Sequence, residues 1–208
     1  MKWIRRAAYI GLSTLLACYG STPSSDSGEP DAPAAEISAP QGGSPETLVA
    51  RMLGDFGSLA TGHSPNSFQG DFDGDGQPDL LAVVDMSGRA SDLPSAVRLV
   101  RPWPPNAGVK PAEDLTQGSR IGLVVVHGVP GDPEAYLLHD LNAVSILDTD
   151  AARVLLVVPH SDLAALEEPE LAAAARGDVI AVPTESGIDT YLYWDGSTYR
   201  AFEPAEVP

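Results

Sequence analysis

Cysteine is all but missing from this sequence: Cys18 is the only one, so no disulfide closes within the chain. Small exported domains often lean on disulfides for stability, and this one must rely on its core. Basic residues are scarce too. Twelve stand against 29 acids, for a formal net charge of −17, and three of the twelve, Lys2, Arg5 and Arg6, crowd the extreme N-terminus. Such a field repels phosphate backbones, and no basic stripe with interleaved aromatics offsets it, which argues against nucleic-acid binding. The apolar run near the N-terminus covers only about ten residues, too few for a bilayer about 30 Å thick.

Familiar catalytic and zinc patterns are also lacking. His63, His127, His139 and His160 are the only histidines, and none pairs at the i, i+4 spacing that builds zinc sites on a helix. They are expected as lone surface or core residues. The stretch "LVVVHGVPGDP" (123–133) is similar to the strand and oxyanion loop of α/β-hydrolases, but no G-x-S-x-G follows it. It is expected to be a strand ending in a Gly- and Pro-rich turn. Glu167, Glu168 and Glu170 read as a solvated helical face, and Trp194 as an aromatic packed beside a hairpin turn.

What is there begins with an address. Residues 1–17, "MKWIRRAAYIGLSTLLA", have the layout of an export signal, basic then apolar then small, and are expected to be removed. The segment "LLAC", Leu15 to Cys18, resembles the lipobox of bacterial lipoproteins, whose cysteine is lipidated and becomes the first mature residue. That resemblance implies a palmitate-type diacyl or triacyl anchor on Cys18 and a place at the bacterial cell envelope. With Tyr19 rather than aspartate next, it implies the outer membrane. Two or more acyl chains are what stable attachment needs. Residues 18–43 are rich in Ser, Pro, Gly, Ala and acids, too poor in large apolar residues to offset their ordering entropy. They read as a flexible tether to a single domain at 44–208.

In that domain, "SPETLVARMLGDFGSLA" (44–60) carries a helical stripe of Leu48, Met52, Leu53, Phe56 and Leu59 behind Ser44 and Pro45, which suit the cap and first turn. Short β-branched runs at 80–85, 96–101, 121–128, 144–147, 154–159 and 179–183 predict strands. Residues 190–202 alternate on both sides of Asp195 and Gly196, a hairpin signal. Residues 163–175 predict a helix interrupted or restarted near Pro169. The expected class is α+β: a mainly antiparallel β-sheet, an N-terminal helix and one further helix in one small domain.

The chemistry gathers in "GDFDGDGQPDLLAVV" (70–84). Ca²⁺ takes six to eight oxygens, and a tight loop aims alternate side chains at one centre. Asp71, Asp73 and Asp75 would supply carboxylates, Gln77 its backbone carbonyl and Asp79 a last carboxylate. Gly76 permits the positive-φ turn that closes the loop. An EF-hand would need a glutamate at the twelfth position, where Ala82 stands instead. The D-x-D-x-D-G-x-x-D spacing followed by an apolar run resembles the calcium loops of FG-GAP (integrin α-chain type) and VCBS repeats. That resemblance implies Ca²⁺ at Asp71, Asp73, Asp75, Gln77 and Asp79. Those families repeat the loop around a β-propeller, which needs more blades than this chain can build. The only other trace, Asp148 and Asp150 before an apolar run, lacks the glycine and the final aspartate.

The sequence thus reads as a membrane-anchored bacterial envelope lipoprotein with a structural calcium site, a non-catalytic binding module for an envelope protein or glycan. The alternatives are an envelope enzyme whose site assembles from scattered residues, and a protein inhibitor or immunity-like partner.

Overall fold

Helix α1 (Pro45–Leu53) starts where the Ser44 hydroxyl accepts the Thr47 N–H at 3.4 Å and Pro45 occupies the first turn. It buries Leu48, Val49, Met52 and Leu53. The expected helix through residue 60 is shorter than that. Gly54 turns to φ 54°, a single 3₁₀ turn spans Gly54–Phe56, and the chain then extends as β1 (Gly57–Leu59). The cause is the approach to the neighbouring strand: a β-carbon on Gly57 would lie 2.9 Å from the Asp85 carbonyl oxygen. Leu59, on the predicted helical stripe, is a strand residue instead.

The computed structural model describes residues 43–102, 120–128, 132–139, 155–183 and 189–204. The signal segment 1–17, Cys18, the tether up to residue 42, the predicted strand at 144–147 and the partial loop at Asp148 and Asp150 lie outside the described residues. Among the described residues no helix is long and apolar enough to cross a membrane.

One sheet holds β1, β2 (Ser67–Gly70), β3 (Asp79–Met86), β4 (Val97–Val100), β5 (Ile121–His127) and β6 (Glu134–Leu138), in the order β1-β3-β5-β6-β4. β2 pairs with residues 79–82 of β3 and β1 with 84–86, so the two short strands share one edge. All pairings are antiparallel except β4 with β6. A second, antiparallel sheet runs β10-β9-β8-β7, built from β7 (Leu156–Val158), β8 (Val179–Val182), β9 (Thr190–Trp194) and β10 (Tyr199–Phe202). Between β7 and β8 lie a 3₁₀ segment (His160–Leu166) and α2 (Pro169–Ala174), parted at Glu167, whose φ is 59°. The predicted restart at Pro169 is where the second helix begins. The fold is α+β, mainly antiparallel sheet in one small domain, with one α-helix besides α1 among the described residues.

Strand alternation sorts the core into layers. Leu80, Ala82, Val84 and Met86 of β3, with Val124, Val126 and Leu137, pack under α1. The intervening Leu81, Val83, Leu123, Val125, Tyr136 and Leu138 face Ile180, Val182, Leu192 and Tyr199 of the second sheet. Leu163, Leu171 and Val179, with Tyr191, Tyr193 and Phe202, close the outer side. The order is helix, sheet, sheet, helix. Each fully buried Leu, Ile or Val contributes about 1.5–3 kcal/mol, so the two sheets are joined chiefly by apolar contact. The parity that sends Leu81 and Val125 between the sheets sends Asp79 and His127 there as well.

Candidate metal centre

The loop between β2 and β3 is built by its own aspartates. Asp71 accepts the Gly74 N–H at 2.9 Å through Oδ1 and the Gly76 N–H at 3.0 Å through Oδ2. Asp73 Oδ1 accepts the Asp75 N–H at 3.0 Å, and Asp75 Oδ1 the Gln77 N–H at 2.6 Å. Gly74 and Gly76 take φ of 78° and 82°, a region that side chains rarely adopt. Carboxylates spaced by two thereby turn to one side: oxygens of Asp71, Asp73 and Asp75 lie within 4.8 Å of one another. This convergence is the one that the D-x-D-x-D spacing predicts.

Asp79 sits apart from that trio. It opens β3, is 2 % exposed, and accepts the Phe72 N–H through Oδ2 at 2.9 Å and the Gly128 N–H through Oδ1 at 3.1 Å. It therefore ties the loop to the end of β5. Its carboxylate joins Asp73 and His127 in a second group with donor atoms within 4.8 Å, a candidate metal-binding cluster. Asp73 belongs to both groups. Gln77 enters through its N–H, bonded to Asp75.

His127 is the residue the sequence hid. It is 5 % exposed; its Nδ1 faces Asp73 Oδ2 at 3.5 Å and its Nε2 is 2.6 Å from the Tyr199 hydroxyl. Tyr136, Trp194 and Tyr199 surround the imidazole, with ring centroids 4.9, 5.2 and 5.7 Å away. A lone histidine in an apolar strand gives no pairing signal. Only its parity with Leu123 and Val125, set beside the parity of Asp79 with Leu81, hints that the two meet.

The electrostatics suit a cation. Burial pushes the Asp79 carboxyl up to about 7, and the Asp73 charge adds to this against the N–H donors of Gly128 and Phe72. Burial also lowers the His127 imidazole below its ordinary value, although Asp73, Glu134, Asp75 and Asp71 all favour its charged form. The Tyr199 phenol is raised well above 10 by burial, then by Asp79 and Asp73. Acids crowd a site where neither histidine nor tyrosine supplies positive charge. The donor set, carboxylates plus one imidazole, fits a divalent metal.

The second sheet holds the loop from behind. The Asp71 N–H donates to Asp178 Oδ2 at 3.0 Å, and the Asp71 carbonyl accepts the Asp178 N–H at 2.7 Å. Asp178 Oδ1 takes the His160 N–H at 2.9 Å, and the Arg176 N–H reaches the Trp194 carbonyl at 3.0 Å. A β-carbon on Gly74 would fall 2.1 Å from the Arg176 carbonyl oxygen, so this contact is backbone on backbone. No protein-family model matches the chain. No curated protein and no solved structure matches it either.

Proposed function

We propose that this chain is a lipid-anchored protein of the bacterial envelope, at the outer membrane, whose domain carries a structural Ca²⁺ in the Asp71–Asp79 loop and acts as a non-catalytic binding module for an envelope protein or glycan. The observation that carries the calcium reading is the convergence of the Asp71, Asp73 and Asp75 carboxylates within 4.8 Å. Ca²⁺ accepts irregular all-oxygen cages, and the Gln77 carbonyl and Asp79 would add to the three carboxylates. An oxygen that already accepts an N–H keeps a second lone pair for the ion.

The loop is bonded to Asp178 as well as to β3, so an ion here would brace both sheets. At about 1 mM calcium and the 10⁻⁴ to 10⁻³ M affinities of extracellular modules, binding stabilises the fold by roughly 0.4–1.4 kcal/mol. That suits a clip better than a switch, which needs a far larger differential affinity.

Among the described residues the arrangement nearest to a catalytic one is Asp73, His127 and Tyr199, but Tyr199 is 1 % exposed and its phenol strongly resists ionisation. It offers a substrate no nucleophile, which favours binding over catalysis. The anchor rests on the likeness of Leu15–Cys18 to a lipobox. Labelled palmitate should enter the wild-type chain and sediment with membranes, whereas Cys18→Ser should lose both label and sedimentation. Equal labelling of the two would remove the anchor.

A further inference from the structure

We infer that Asp73 Oδ2, Asp79 and His127 Nδ1 form a second cation site beside the aspartate loop, one that takes a borderline transition-metal dication such as zinc, with Asp73 and Asp79 shared between the two ions. This goes beyond the calcium reading, which uses loop oxygens alone.

The donors come from three places: Asp73 from the loop, Asp79 from the start of β3 and His127 from the end of β5. An imidazole nitrogen among them changes the ion. Hard Ca²⁺ is met by oxygen, whereas imidazole suits zinc and its neighbours in the first transition row.

The separation supports the same assignment. His127 Nδ1 and Asp73 Oδ2 stand 3.5 Å apart, beyond the range of a good charge-assisted hydrogen bond. Two ligands about 2.0–2.2 Å from one tetrahedral ion lie about 3.4 Å from each other. The two oxygens of Asp73 also part company. Oδ1 accepts the Asp75 N–H inside the loop, while Oδ2 looks at His127.

The ring is held ready for such a role. Metal-bound histidines are oriented by a partner on the other ring nitrogen. Here Nε2 meets the Tyr199 hydroxyl at 2.6 Å, and Tyr136, Trp194 and Tyr199 enclose the imidazole, so Nδ1 has one direction to face. Asp79 is fixed by the N–H groups of Phe72, Gly128 and Asp73 and keeps one lone pair for an ion. Three protein donors leave a fourth position for water.

The test uses the full chain, saturated with calcium and then titrated with zinc alone. One zinc equivalent should bind without releasing calcium, and the ¹⁵N resonance of His127 Nδ1 should move as on coordination while Nε2 stays protonated. His127→Gln should weaken zinc at least about tenfold and leave the calcium response in place. Asp71→Asn should do the reverse. The resonance is read on the wild type, so the test survives a misfolded variant. Zinc that expels calcium stoichiometrically, or binds at His63 or His160 with His127 Nδ1 unmoved, would overturn the inference, as would no binding. Zinc held at Nδ1 with no calcium response would sustain the zinc site and remove the calcium reading together with the bridge.

Discussion

Gly177 lies flat against the aspartate loop: a β-carbon added to it would fall 2.1 Å from the Asp71 carbonyl oxygen and 2.7 Å from the Gly74 nitrogen. The obstacle is backbone, which cannot swing aside as a side chain can. The loop and the approach to β8 are therefore one packed unit, and the loop's shape depends on a residue about a hundred positions away.

Gly177→Ala should consequently destabilise the domain by about 1–3 kcal/mol, the usual range for overpacking, and weaken calcium binding together with stability. Denaturant titration with and without calcium measures both. A variant as stable as wild type would mean that the loop is not seated against this segment.

The buried Asp79 carboxyl sets a pH dependence. Its folded pKa of about 7 lies above the ordinary 3.8, so the folded state holds this proton more tightly than the unfolded chain does. The resulting stabilisation is complete below about pH 4 and is lost as pH rises towards 7. His127, lowered by burial, acts the other way below its ordinary 6.5, since the unfolded chain then takes a proton that the folded state resists. Comparison with Asp79→Asn isolates the first effect. In chelator, melts of wild type should fall relative to Asp79→Asn between pH 4 and 7, and parallel profiles would show that Asp79 is not strained in the metal-free fold.

Tyr199→Phe removes the hydroxyl bonded to His127 Nε2 inside the sheet interface. A buried polar atom left unpaired costs about 1–3 kcal/mol, and the loss should appear equally in calcium and in chelator. Thermal melts followed by tryptophan fluorescence suit this variant, since Trp194 lies 5.3 Å from the Tyr199 ring. A loss confined to calcium would instead place Tyr199 in the loop's ion site.

Much of this was legible in the sequence, and where reading failed the reason is physical. Strands β3, β5 and β8 announce themselves as β-branched runs because both their faces are buried, and the β9–β10 hairpin through Asp195-Gly196. β1 failed because Leu59 continues the helical stripe of Leu48, Met52 and Phe56; the break depends on Gly54 turning and Gly57 fitting against Asp85, a tertiary contact. β2 and β6 are short, and "EAYLL" reads as readily helix as strand. At the site, local spacing sufficed for Asp71, Asp73 and Asp75, since the hydrogen bonds their carboxylates accept within the loop span at most five residues. His127, Tyr199 and Asp178 were not legible because they arrive from distant strands and turns. Pattern conveys which face a residue takes, and only the fold conveys what it meets there.

The most direct test of the proposed calcium centre is calorimetric titration with Ca²⁺ on wild type and Asp75→Ala, with parallel melts in calcium and chelator. Asp75 is an exposed member of the converging trio, so its loss should spare the metal-free fold. The prediction is one calcium per chain, abolished in the variant, and a melting temperature that Asp75→Ala lowers in calcium but hardly changes in chelator. No binding heat on wild type, or an equal loss of stability in both media, would contradict it and leave the aspartates as formers of a sharp acidic turn.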